Sequence, residues 1–282
     1  MEYWLIQILN SITLGMLLFL LASGFTIVFG LMQIANLAHG GLYLLGGYLC
    51  YTVTKYTGNF FFGVASGMLF VGIIGVVVYR TMLGGVRAHL SQVLLTIGLM
   101  FIFGDIALWI WGGRPLLVPK PGLFEGSISL FGSAFPLYRL FIIAVGLMIA
   151  TFLWWFDRKT KYGAIIRAGV DDSEMVRGIG ININLVMILV FGIGASLAAL
   201  AGALGGPFMG LFPGEDTEVL LLALVVVVVG GPGSLAGAFF CAIMIGIVEN
   251  LGKVIFPEIS VFLIFVVMAI VLVVKPSGLF GK

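Results

Sequence analysis

Few residues in this chain are of a type and spacing that could carry bond-making chemistry. It has only two histidines and two cysteines among 282 residues. Two histidines are too few for a plausible metal site. Both Cys50 and Cys241 lie in apolar segments, where they read as small buried hydrophobes and not as a disulfide or a metal pair. No Ser/His/Asp set or pair of carboxylates is placed for catalysis. There is no GxxxxGK[ST] phosphate loop. The chain therefore reads as no enzyme, with no catalytic residue, no metal and no cofactor. The polar residues that stand out do so by interrupting apolar sequence. Asn36, His39, Gly40 and Gly41 break one apolar stretch, in GLMQIANLAHGG (30–41). Gly230, Gly231, Gly233, Ser234 and Gly237 break another, around GGPGS (230–234). Such interruptions at membrane depth are tolerated only against protein or a water-filled cavity. Paired ones point to a pathway at a repeat interface. Two plainer readings stand beside this one: Asn36 and His39 cap helix ends, and the glycines allow close helix packing.

The elements that must hold these residues follow from composition. Hydrophobic residues make up 61% of the chain and charged residues 9%, against roughly half and a quarter in soluble domains. A water-soluble fold could not hide so much apolar surface, so the solvent is lipid. Apolar runs fall at about 5–29, 41–57, 60–79, 90–111, 136–156, 183–204, 219–249 and 259–274. They are continuous and not alternating, which argues against a β-barrel. The expectation is an all-α, polytopic membrane protein with about eight transmembrane helices, some broken or re-entrant. It forms one domain over 1–282. The first run is too long for a signal-peptide core and no basic segment precedes it, so it reads as a first span. The run 219–249 reads as one broken span, a re-entrant pair or two short crossings.

Charge supplies direction. Arg158, Lys159, Lys161, Arg167 and Arg177 crowd into 155–178, together with Asp157, Asp171, Asp172 and Glu174. The positive-inside rule places this loop in the cytoplasm. Arg80 and Arg87 place 80–89 on the same side, and 112–135 then lies outside. Lys275 and Lys282 suggest a cytoplasmic tail, which requires an even number of crossings after residue 178. Ala164, Ile165, Ala168, Met175, Val176 and Ile179 recur at roughly helical spacing. Asp172 and Glu174 suit the first turn of a second short helix. The segment is a solvated connector or a docking element for a soluble partner. No basic tract fits a nucleic acid.

Other polar residues have structural readings. Asp105, inside the fourth run, should face protein or water, because a carboxylate in lipid costs about 2.5–3.5 kcal/mol. Glu249 closes the seventh run. Trp109, Trp111, Trp154 and Trp155 sit at span ends, as interfacial belts require. EDTE (215–218) reads as an outward-facing helix start, or as a surface for a soluble binding protein.

Four blocks resemble the permeases of branched-chain amino acid ABC transporters. GAIIRAGVDDSEMVRGIGIN (163–182) is similar to that family's cytoplasmic loop, with Gly163, Arg167, Ala168, Gly180, Ile181 and Asn182 at the matching positions. GFTIVFGLMQIANLAHGGLYLLGGY (24–48) resembles its N-terminal block around Asn36, Ala38, His39 and Gly40, although Gly41 stands where relatives often carry a polar residue such as Glu. VVVVVGGPGSLAGAFFCAIMIGIVEN (225–250) and KPSGLFG (275–281) resemble two further blocks. The order is the family's order from end to end. The resemblance implies a permease subunit that moves branched-chain or other hydrophobic amino acids by alternating access. It implies a second, non-identical permease subunit, two cytoplasmic ATPases and a periplasmic solute-binding protein as partners, in a bacterial inner membrane. It makes 157–182 the ATPase-coupling loop, with Gly163, Arg167, Ala168, Asp171, Asp172, Glu174, Arg177 and Gly178 as its candidate residues. Permeases for urea and short amides share much of this pattern. A stand-alone channel or facilitator is the alternative from another class.

Overall fold

A computed structural model describes residues 2–33, 35–86, 88–130 and 133–281. Arg87 and Lys282, used above to orient the chain, lie outside the described residues. The chain forms eleven helices among the described residues: α1 (Glu2–Met32), α2 (Ala38–Thr57), α3 (Phe60–Val78), α4 (His89–Trp111), α5 (Leu137–Lys159), α6 (Lys161–Asp171), α7 (Ser173–Gly178), α8 (Ile183–Met209), α9 (Glu215–Gly230), α10 (Leu235–Ile255) and α11 (Ser260–Val274). Six helices are long and apolar enough to cross a membrane: α1, α3 with the π-helical turn Tyr79–Leu83 that extends it, α4, α5, α8 and α10. The polytopic all-α reading stands, with one addition. The segment between α4 and α5 contains a small antiparallel hairpin, β1 (Ser127–Leu130) and β2 (Ser133–Pro136), which pairs Ser127 with Pro136.

The two most buried of these spans, α1 and α8, meet through small residues. α1 is lined by Gly15, Gly24 and Gly30, and each meets backbone. A β-carbon at Gly15 would lie 2.8 Å from the Ile243 Cα on α10, and one at Gly24 would lie 2.6 Å from the Gly194 carbonyl on α8. α2 crosses α8 as closely, with Gly46 against Ala199 and Gly202 against the Tyr43 carbonyl. Lipid tails give helices no hydrophobic reason to associate, so close packing of this kind must hold them. α3, α4 and α5 instead turn many large apolar side chains outward, among them Leu69, Phe70, Phe101, Trp109, Phe152 and Trp154. Trp111 is an exception to the belt expected of it. It turns inward, stacks on Tyr48 at 4.9 Å and donates its Nε1 hydrogen to the Thr52 hydroxyl at 2.7 Å.

The run 219–249 resolves into α9 and α10, antiparallel, with a tight turn at 231–234. α10 also runs antiparallel to α1, since the Asn250 amide donates to the Gln7 carbonyl (3.0 Å) near one end and Gly233 meets Gly30 near the other. The α9–α10 turn therefore lies at the same end of the bundle as α6 and α7. The tail 276–281 is at that end too: Leu279 N–H donates to the Val229 carbonyl (2.7 Å) and Phe280 N–H to that of Gly230 (3.1 Å). Helices α8 to α11 thus lead from the charged loop back to its own end of the bundle, and of the four only α8 and α10 are long and apolar enough to cross a membrane.

Candidate functional site

The two helix breaks arise differently. At the first, α1 ends where Gln33 takes the left-handed conformation (φ 57°). Its N–H donates to the Phe29 carbonyl (2.7 Å) and its side-chain amide to the Gly30 carbonyl (2.8 Å). These bonds satisfy carbonyls that the helix end leaves open. The chain then turns back along α1, and α2 starts beside the middle of that helix, where His39 Nε2 lies 3.2 Å from the Leu21 carbonyl. Its ring meets the edge of Phe25 at 5.5 Å. Leu37 N–H donates to the Thr96 hydroxyl of α4 (3.2 Å). Gly40 packs on the Asp216 carbonyl and Gly41 on Phe103, so the first turn of α2 passes between α9 and α4.

Neither Asn36 nor His39 caps α2. Leu37 holds the cap position and no side chain bonds there. Asn36 Oδ1 and His39 Nδ1 are buried and have no hydrogen-bond partner among the described residues. The capping reading of these two residues is thereby corrected: their side chains are buried beside the middle of α1 and cap nothing.

The second break is a turn at the end of the bundle. Gly230 and Gly237 pack on each other across it, and Ser234 caps α10 by accepting from Gly237 N–H (3.0 Å). Gly231 (φ 95°) and Gly233 (φ 77°) take conformations that favour glycine. Gly231 also lies against Gly281 of the tail. The structure does not bring the two sets of break residues to one depth. Gly233 meets Gly30, whereas His39 meets Leu21, nine residues and roughly 13 Å away along α1. Among the described residues, the breaks meet where the first begins, at Gly30 and Gly233.

The charged loop folds as two short helices. Thr160 caps α6 by accepting from Gly163 N–H (3.0 Å), and Asp172 caps α7 by accepting from Glu174 and Met175 N–H (3.0 and 2.9 Å). Gly163 is buried in the α5–α6 corner, against the carbonyls of Phe156 and Asp157. Arg167 pairs with Asp157 at 3.0 Å. Arg167, Ala168, Asp171, Asp172, Glu174, Arg177 and Gly178 are all exposed, and so are Tyr162, Met175 and Ile179. The opposite side of the element, with Gly169, Val170 and Val176, packs on the bundle; Gly169 meets Leu31 and Ile183. Met175 and Ile179 thus do not share a buried face with Val176, as their spacing suggested. They stand outward among the charges.

One pair of functional interest escaped the sequence reading. Glu215 does not face outward as an exposed helix start would: it is 1% exposed and accepts from the Tyr43 hydroxyl at 3.0 Å. Its other oxygen has no partner among the described residues. Asp216 is buried as well, its carboxylate capping Gly214 N–H (3.1 Å), while Thr217 and Glu218 are exposed. The available signal was the placement of two acids directly after Pro213-Gly214, at the head of an apolar run. Glu249 is structural, since it is buried and bonded to Lys253 one turn on at 2.5 Å. Asp105 is exposed on the free side of α4.

The chain is 29% identical to the high-affinity branched-chain amino acid transport system permease protein LivH of Escherichia coli K12, over 99% of this chain and 96% of that one. It is 28% identical to the corresponding permease protein BraD of Pseudomonas aeruginosa, with the same coverage. In fold it is similar to PsaBC of Streptococcus pneumoniae, solved in complex with Fab, with a TM-score of 0.50 at 14% identity, covering 94% of this chain and 89% of that one. The family model for the branched-chain amino acid transport system permease component matches residues 7–272. The chain therefore belongs to that family of ABC permeases, as a multi-pass protein of the inner membrane.

Proposed function

We propose that this chain is one permease subunit of an importer that moves branched-chain or other hydrophobic amino acids inward by alternating access, and that ATPase subunits drive it through α6–α7. The observation that carries the coupling is the two-sided character of that element. Its small and apolar side is seated on the bundle. Its outer side mixes Tyr162, Met175 and Ile179, each more than 60% exposed, with Arg167, Asp172, Glu174 and Arg177. Large apolar side chains ringed by charge, at an end of the protein beyond the lipid, mark a surface for another protein. The chain has no phosphate loop of its own, so that protein supplies the hydrolysis. The solute class rests on the printed function of LivH and BraD.

Asp105 supports a second permease subunit. A carboxylate facing hydrocarbon costs about 2.5–3.5 kcal/mol. The free side of α4 accordingly faces another subunit or the aqueous path between two subunits. A periplasmic binding protein would deliver the solute from the side opposite α6–α7.

The test is reconstitution with the partner ATPases and substitution of the exposed face. Met175→Glu with Ile179→Glu is expected to abolish ATPase association and ATP-dependent leucine uptake while leaving the chain folded. Unchanged association would refute the docking assignment. Uptake by the chain alone, without ATP, would identify a facilitator instead.

A further inference from the structure

Protein does not close all of the lipid-facing perimeter. α3 packs on α8, and α5 packs on α1. Between α3, α8 and α5 there remains a groove of about 440 Å³, walled by Leu69, Ile73, Phe152, Leu189 and Ile193. All five side chains are exposed. Gly72 and Gly192 line it too, and both are buried where α3 and α8 approach. At the end away from α6–α7, Phe61 of α3 meets Phe141 of α5 edge to face, with ring centroids 6.0 Å apart. The groove lies on the α6–α7 side of that contact. Its α3 wall runs from Met68 to Val76, about 12 Å of helix. That is close to the depth of one leaflet, half of a hydrocarbon core about 30 Å thick. A transmembrane helix of another subunit would need a seat over the full depth, and the Phe61–Phe141 contact ends the groove short of it.

Charge marks the other end. Leu69, Ile73 and Val76 share one face of α3, and Arg80 follows one turn later on that face. Lys159 ends α5 on the same side as Phe152, two turns on. Both cations are exposed, and neither has an ion-pair partner among the described residues. No acid stands among the residues that line the groove.

We propose that this groove holds an acyl chain of an anionic phospholipid of the cytoplasmic leaflet, and that Arg80 and Lys159 hold its phosphate. The leaflet follows from the positive-inside placement of α6–α7, and the site does not depend on what docks there. Basic residues between spans at a cytoplasmic surface select acidic headgroups. A zwitterionic lipid would fill the groove equally well, but its ammonium group would face two cations. The bound lipid completes a packing that α3 and α5 leave unfinished.

The test is native mass spectrometry of the intact permease assembly, stripped of lipid in detergent and then given dioleoyl phosphatidylglycerol or dioleoyl phosphatidylcholine. The parent is expected to retain the phosphatidylglycerol in preference. Arg80→Gln with Lys159→Gln should lower that retention about tenfold and abolish the preference. Ile193→Trp fills the groove and leaves both cations, and it should lose the retained lipid. Val266→Trp, on the exposed side of α11, should behave as the parent does. Equal retention of the two lipids by the parent would overturn the proposal, and so would unchanged retention in Ile193→Trp. In the same assembly, a benzophenone side chain installed at Ile73 should crosslink to lipid. A crosslink to a partner subunit would give the groove to protein and overturn the lipid site.

Discussion

The Tyr43 hydroxyl donates to Glu215 at 3.0 Å, joining the second turn of α2 to the first turn of α9 across 172 positions of sequence. Both side chains are buried. The bond ties the helix that begins at the first break to the helix that leads into the second. Tyr43→Phe removes this bond from a buried carboxylate and is expected to destabilise the protein by about 1–3 kcal/mol. Glu215→Gln keeps an acceptor for the tyrosine and should lose less. Thermal unfolding in detergent ranks the two, and equal midpoints would show that the bond contributes nothing.

The glycines of the membrane helices divide into two groups. Gly46 faces the Ala199 backbone, whereas Gly98 on α4 has open space where a β-carbon would go. Overpacking a tight core costs typically about 1–3 kcal/mol and more where backbone must move. Gly46→Ala is expected to yield little folded protein, and Gly98→Ala to behave as the parent does. Size-exclusion profiles of the two detergent extracts check this.

Asp172 closes α7 with two hydrogen bonds. Replacing such a cap by alanine costs about 0.5–2 kcal/mol, and asparagine retains most of its effect. Asp172→Ala should therefore fray residues 173–178, seen as faster amide exchange there, and weaken ATPase binding. Asp172→Asn should preserve both. Identical exchange in the two variants would contradict the assignment.

Glu249 is buried and depends on Lys253 for its charge partner. Lys253→Ala strands that carboxylate, with an expected loss on the order of 1–3 kcal/mol. Adding Glu249→Gln should restore part of it. A double variant as unstable as the single one would mean that the charge is met some other way.

Much of this architecture is written in local sequence. The long apolar runs locate the spans, and the clustered charges of 155–178 locate the α6–α7 element and the start of α7. What escapes is relative depth. GGPGS and NLAHGG look alike as interruptions, but one is a turn at the end of the bundle and the other lies beside Leu21, a difference set by how far the chain turns back after Gln33. Glu215 escapes for a related reason. Its partner, Tyr43, lies on another helix, and an acid at a helix start reads as outward-facing until the neighbour is known. The β1–β2 hairpin is missed because SISL and SAFP are short and weakly patterned.

The glycine contacts along α1 also limit how the protein can move. Gly24 and Gly194 meet backbone to backbone, as do Gly15 and Ile243. Sliding α1 by a single residue, about 1.5 Å, would drive a side chain into the facing backbone. α1, α8 and α10 are meshed like gear teeth with no intermediate position, so they are expected to travel as one block between states. Label distances within the trio should then stay constant whatever nucleotide is bound. Shape change falls to the thinly packed perimeter and to the short unwound stretch after Met32.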